Sequence, residues 1–136
     1  MAPYPTAIFV SRLTSLDVAY FRSFASVAPR RFAAVNMAVT APDRETAKAI
    51  ARAVVERRLA ACANYWPVES RYWWRGAQEE TNEFVIVFKT RAALVRKLIA
   101  AVRAVHPAEV PCIVSYPMGP AWPEYLAWID AETAQR

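Results

Sequence analysis

Two stretches of this 136-residue chain carry apolar side chains at helical spacing, and each is flanked by short apolar runs too compact and β-rich to be helices. That alternation constrains the fold more than any other feature. The first extended run is Phe32–Thr40, apolar and partly β-branched. Pro42 ends it, and Asp43 supplies a carboxylate that can cap a following helix. Ala47, Ile50, Ala51, Val54, Val55 and Leu59 then recur on one helical face, with Arg44, Lys48, Arg52, Glu56 and Arg57 on the other.

Cys62–Trp74 reads as a second extended stretch, with Pro67 expected to mark a bulge or bend. Arg75-Gly76 is a turn signal, and Glu83–Thr90 is an extended run with a continuous apolar centre. The two stretches are expected to pair as an antiparallel hairpin. Thr90 is expected to cap a second helix whose stripe is Leu94, Val95, Leu98, Ile99, Val102 and Val105. His106-Pro107 closes that helix, because proline disfavours helical geometry in the residue before it. Cys112–Pro117 reads as a last strand, and Trp122–Glu132 as a short amphipathic helix.

The order is therefore β-α-β-β-α-β plus a C-terminal helix. This is an α+β, ferredoxin-like split βαβ fold, with two helices on one face of a four-stranded antiparallel sheet. Composition bears on the other face. Apolar residues make up 56% of the chain, including five Trp and six Tyr, against about 45–50% in ordinary domains. One small protomer has no helix to cover that second face, so a second copy of the same sheet is the expected cover.

Residues 1–32 differ in texture. They hold Arg12, Arg22, Arg30 and Arg31 against Asp17 alone, so most of the net charge of +5 sits in this segment. The expected organisation is an N-terminal extension over 1–32, a folded domain over 33–131 and a tail over 132–136. The extension has the Arg- and Ser-rich, acid-poor make-up of an organellar transit peptide, or is a plain disordered extension. The default compartment is the cytoplasm, with a plastid or mitochondrion as the alternative if residues 1–32 are a transit peptide. A basic excess confined to a tail argues against a nucleic-acid partner. No apolar run reaches the length of a membrane span.

The motifs resemble those of the CutA divalent-cation tolerance proteins. The matching stretches are Thr40-Ala41-Pro42-Asp43, Leu59-Ala60-Ala61-Cys62-Ala63-Asn64, Ser70-Arg71-Tyr72-Trp73-Trp74-Arg75-Gly76 and Lys89-Thr90-Arg91. His106-Pro107 with Val110-Pro111, and Tyr125-Leu126-Ala127-Trp128-Ile129, complete the set. The resemblance implies a homotrimer with hairpins extending between subunits, similar to the PII signalling proteins, and a role in tolerance of divalent metals, copper above all. The sequence departs from the family pattern at Ala108 and Cys112, where an aromatic residue and an acid are usual. It has Val105 where some members carry a second histidine.

Thiolate and imidazole suit copper and zinc. Cys62 and His106 are the candidate metal ligands, for copper or another divalent cation held weakly. Cys62, His106 and Cys112 are too few and too scattered in sequence for a closed four-ligand site in one chain. The alternative is that Cys62 is a small buried hydrophobe and His106 a helix C-terminal residue interacting with the dipole. With one histidine and no local nucleophile signature, the chain is expected not to be an enzyme. A second functional reading is a PII-like signalling or protein-interaction module that binds a small ligand or partner at intersubunit clefts, with Lys89, Arg91 and Glu109 as polar lining. Tyr65, Trp66, Tyr72, Trp73 and Trp74 are read first as an interface, then as a stacking surface.

Overall fold

A computed structural model describes residues 33–133. The expectations placed on residues 1–32, and on 134–136, lie outside those residues. Strand β1 (Ala34–Ala41) leads into helix α1 (Arg44–Val55), followed by strands β2 (Cys62–Trp74) and β3 (Ala77–Arg91). A short 3₁₀ turn (Ala92–Leu94) opens helix α2 (Val95–Val105), then come strand β4 (Ile113–Pro117) and helix α3 (Pro123–Thr133). The described elements form one antiparallel sheet in the order β2-β3-β1-β4. This is the expected split βαβ arrangement.

Strand alternation assigns each side chain to a face. Met37 and Val39 of β1, and Ile86 and Phe88 of β3, point to one side and are fully buried. Helices α1 and α2 cover them with Ile50, Val54, Leu98 and Val102, giving a single core. Each such large side chain contributes about 1.5–3 kcal/mol by leaving water. The opposite face carries Asn36, Ala38, Thr40, Val85, Val87 and Lys89, each only partly buried. Helix α3 packs against β3 and covers one end of that face, with Ile129 and Thr133 fully buried.

Asp43 caps α1 as expected. Its backbone is extended, and its Oδ1 accepts from the Thr46 N–H at 2.7 Å. The helix stops four residues before Leu59 because Arg58 turns into the left-handed region at φ 54°. The Leu59 N–H then bonds back to the Val54 carbonyl at 3.1 Å, closing the C-terminus while Leu59 itself remains in the core.

Three other expectations are corrected. Pro67 makes no bulge: the β2–β3 register runs unbroken from Cys62↔Lys89 to Trp74↔Ala77, with Pro67 opposite Phe84. An edge strand tolerates proline because alternate amide positions face away from the sheet. Thr90 does not cap α2. It is fully buried, and its hydroxyl donates to the Leu59 carbonyl at 2.6 Å. Strand β3 starts at Ala77, not Glu83, because Arg75 (φ 49°) and Gly76 (φ 83°) form a two-residue turn that pairs the flanks immediately.

Candidate functional site

Cys62 opens β2 on the sheet face opposite the core helices, half-buried, directly opposite Lys89. Its Sγ lies 3.7 Å from Asn64 Oδ1, which also accepts a hydrogen bond from Lys89 Nζ. Tyr125 of α3 is close enough to feel the cysteine. Its phenol is held above the ordinary value, first by burial and then by repulsion from a Cys62 thiolate. The thiol therefore sits among an amide, an ammonium and a phenol. Among the described residues no group of three His, Cys, Asp or Glu gathers around it, and the ammonium opposes a second cation.

His106 caps the end of α2 in an extended conformation. One ring nitrogen, Nε2, lies 2.6 Å from the Thr40 carbonyl oxygen, and the other, Nδ1, accepts from the Ala108 N–H at 3.1 Å. That pairing makes Nε2 the protonated nitrogen of a neutral ring. Both ring nitrogens are thus engaged by the main chain, and the histidine ties the loop after α2 to the end of β1.

The two candidate ligands lie far apart within a protomer. Cys62 is level with Lys89 and Asn36, whereas His106 meets Thr40, four residues further along β1. Four strand residues span ~13 Å. Among the described residues no three of His, Cys, Asp and Glu converge as a metal site. The residues of one protomer therefore do not fit a divalent metal held by Cys62 and His106 together. Cys112 is the cysteine nearer to His106, since its carbonyl accepts from the Thr40 N–H at 3.4 Å.

His106 and Cys112 both border a groove of about 980 Å³. One wall is the outer half of β2, with Tyr72, Trp73 and Trp74; the other is the loop from His106 to Cys112. The hairpin tip is tied to that loop by an ion pair of 2.8 Å between Arg75 and Glu109. Arg75 also lies over the Trp74 ring, 5.5 Å from its centroid. Sequence reasoning named most of these residues singly but missed the groove, because the contact joins positions 34 apart. The proposed polar lining is not brought together: Lys89 is on the sheet face, Arg91 binds the end of α3, and only Glu109 lines the groove.

The aromatic cluster divides. Tyr65 packs against the core, whereas Trp66, Tyr72, Trp73 and Trp74 are exposed, Trp73 at 70%. Val114 and Tyr116 of β4 extend the exposed apolar surface to the other edge of the sheet. No helix among the described residues is long and apolar enough to cross a membrane.

Comparison with known proteins agrees with this architecture. The family model described as CutA1 divalent ion tolerance protein matches residues 35–132. Protein CutA of Mus musculus is 46% identical over 96 residues, which is 70% of this chain and 54% of the mouse protein. The chain thus spans about half the length of that relative. The divalent-cation tolerance protein CutA of Archaeoglobus fulgidus is 39% identical over 92 residues, 68% of this chain and 90% of that one. The crystal structure of CutA1 from Oryza sativa superposes with a TM-score of 0.75 at 31% identity, covering 79% of this chain and all of the rice chain. Sequence, fold and motif order agree, and the chain belongs to the CutA1 divalent ion tolerance family.

Proposed function

We propose that this protein is a homotrimeric, non-enzymatic binding protein that responds to divalent metal ions and holds copper or another divalent cation weakly. The observation that supports assembly is the uncovered sheet face. Trp66, Val114 and Tyr116 are 40–54% exposed there, in line with half-buried Val85 and Val87. The outer hairpin, Glu69–Trp74 against Ala77–Asn82, is a two-stranded ribbon projecting beyond its neighbouring strand. Such a ribbon is marginal on its own and needs further packing. Copies of the same sheet would supply both needs.

The metal reading follows from the same assembly. Because one protomer keeps Cys62 and His106 apart, a site that uses them draws ligands from more than one protomer. Sedimentation equilibrium tests the first statement, with a mass three times that of the chain expected. A titration with Cu(II) and Cu(I) tests the second, with saturable binding that weakens in Cys62→Ser and His106→Ala. A monomer at micromolar concentration refutes the assembly. Absent or unaltered metal binding refutes the site.

A second reading, a ligand-binding or protein-interaction module of the PII kind, is favoured by the groove between the hairpin and the His106–Cys112 loop.

A further inference from the structure

The described domain separates its charges between the helix layer and the hairpin. Helices α1 and α2 pack on each other over the core and turn their outer sides to water. Helix α1 and the turn after it carry Arg44, Lys48, Arg52 and Arg57 there, all exposed, against Glu45 and Glu56. Helix α2 carries Arg96, Lys97 and Arg103, all exposed, and no carboxylate. The hairpin has the opposite sign: Glu69, Glu79, Glu80 and Glu83 outnumber Arg71 and Arg75.

The fold leaves much of the helix layer unneutralised. Glu45 pairs with Lys48 and Glu56 with Arg52, so the two carboxylates of α1 and its turn are engaged locally. Arg103 donates to the main-chain carbonyl of Glu109. Arg44, Arg57, Arg96 and Lys97 have no hydrogen bond or ion pair among the described residues. Arg96 and Lys97 stand in the first turn of α2, where the helix dipole favours negative charge, with no acid beside them. That placement is locally unfavourable, and a negative surface in front of it relieves the repulsion. Strands β1 and β3 are antiparallel, so the helices that follow them are too, and Arg57 comes to the same end of the layer as Arg96 and Lys97.

Clusters of about four to eight Lys or Arg on a helical surface attract anionic lipid headgroups. The shape suits a plane better than a groove. Two helices side by side present a broad face, whereas the DNA major groove admits one helix. Exposed residues between the cations are small, Ala49, Ala100 and Ala104, and neither helix carries an aromatic ring on which a base could stack. The acidic hairpin completes a charge asymmetry that turns the helix layer toward a negative plane.

We infer that the outer face of α1 and α2 is a docking surface for an anionic phospholipid bilayer, held at headgroup level by Arg44, Arg57, Arg96 and Lys97. The face lies on the other side of the sheet from Trp66, Val114 and Tyr116, the side chains that the proposed assembly covers. The inference goes beyond metal response and does not rest on it.

Co-sedimentation with vesicles tests it. Residues 1–32 are themselves basic, so the full chain is used and the position of the charge loss is varied. Binding to phosphatidylcholine vesicles containing about one-third phosphatidylserine is expected at low salt, with loss as salt approaches about 0.5 M. Pure phosphatidylcholine vesicles should bind little. Affinity should fall about tenfold or more in the triple variant Arg57→Gln, Arg96→Gln, Lys97→Gln. It should stay near that of the parent in Arg57→Lys, Arg96→Lys, and should fall less in Arg22→Gln, Arg30→Gln, Arg31→Gln, which removes the same charge from the extension. The three face positions are exposed and unpaired among the described residues, so the variants should fold, and circular dichroism checks that. Equal binding to pure phosphatidylcholine, or a loss in the extension variant as large as in the face variant, would overturn the inference. So would tighter binding of a random-sequence DNA duplex at the same salt, lost with the same three cations, which would make the face a nucleic-acid surface.

Discussion

Thr90 and Leu59, at opposite ends of the β2–β3 hairpin, are joined by a hydrogen bond of 2.6 Å from the threonine hydroxyl to the leucine carbonyl. The bond is buried, and it ties the end of β3 to the turn that follows α1. The Leu59 carbonyl belongs to the chain just past a helix terminus, where main-chain acceptors lack helical partners. Thr90→Val keeps the shape and removes the donor. A destabilisation of about 1–3 kcal/mol is expected, the cost of leaving a buried acceptor unpaired. Thr90→Ser should retain most of the bond. Urea unfolding of the three proteins checks the order; equal midpoints for valine and threonine would refute it.

Helix α3 is held at its C-terminal end by two arginines from elsewhere in the chain. Arg91 Nη2 donates to the Thr133 carbonyl at 2.5 Å, with Asp130 at 3.6 Å. Arg58 Nη1 donates to the Glu132 carbonyl at 3.2 Å and to its carboxylate at 2.9 Å. Positive charge at a helix C-terminus is favourable, and the two differ in exposure. The Arg91 side chain is 22% exposed and the Arg58 side chain 46%. Arg91→Met should therefore cost about 1–3 kcal/mol, and Arg58→Met no more than about 1 kcal/mol, as an exposed ion pair does. Hydrogen exchange should show faster opening of α3 amides in Arg91→Met. Equal exchange in both variants would count against the difference.

The fold was legible because its signals are local. Ile50 and Val54, or Leu98 and Val102, declare a helix face by spacing alone, and Arg75-Gly76 declares a tight turn by its residue types. Thr90 was misread because a threonine before a helix looks like a cap, and nothing local shows the Leu59 carbonyl it meets instead. The amphipathic reading of α3 fails for a related reason. Ile129 is fully buried, but Trp122, Tyr125 and Trp128 are 36–71% exposed, so apolar character did not mark the inner face. The candidate site was least legible. Cys62 and His106 suit metal as residue types, but only the register shows that they lie level with Asn36 and Thr40, at different heights of the sheet.

Asp43 gives stability a defined dependence on acid. The Thr46 N–H bond to its carboxylate holds its pKa below the ordinary value of 3.8. A lowered folded-state pKa means that the unfolded chain binds the proton more tightly, so acid favours unfolding. The contribution is fully present above the unfolded value and is lost as pH falls through the folded one. Asp43→Ala should be less stable than the parent at neutral pH, and the gap should narrow once pH drops below about 4. Denaturation midpoints of both proteins across that range measure it. A gap that stays constant into strong acid would show that the carboxylate charge plays no part.

Tyr125 titrates at the other extreme. Burial comes first in raising its pKa above 10.0, and repulsion by a Cys62 thiolate adds to it. Here the folded state keeps its proton longer than the unfolded chain does. The stabilisation is therefore complete below the unfolded value and is lost as pH rises through the folded one. Phenolate absorbance, taken as the difference between the parent and Tyr125→Phe, should show a midpoint above about 10. In Cys62→Ser no thiolate forms at alkaline pH, so only the burial contribution remains and the midpoint should move back part of the way. A midpoint unchanged by that substitution would place the cysteine too far from the phenol to act on it. A complete return to the ordinary value would mean that α3 does not bury the ring, and that its seating beside Cys62 is wrong.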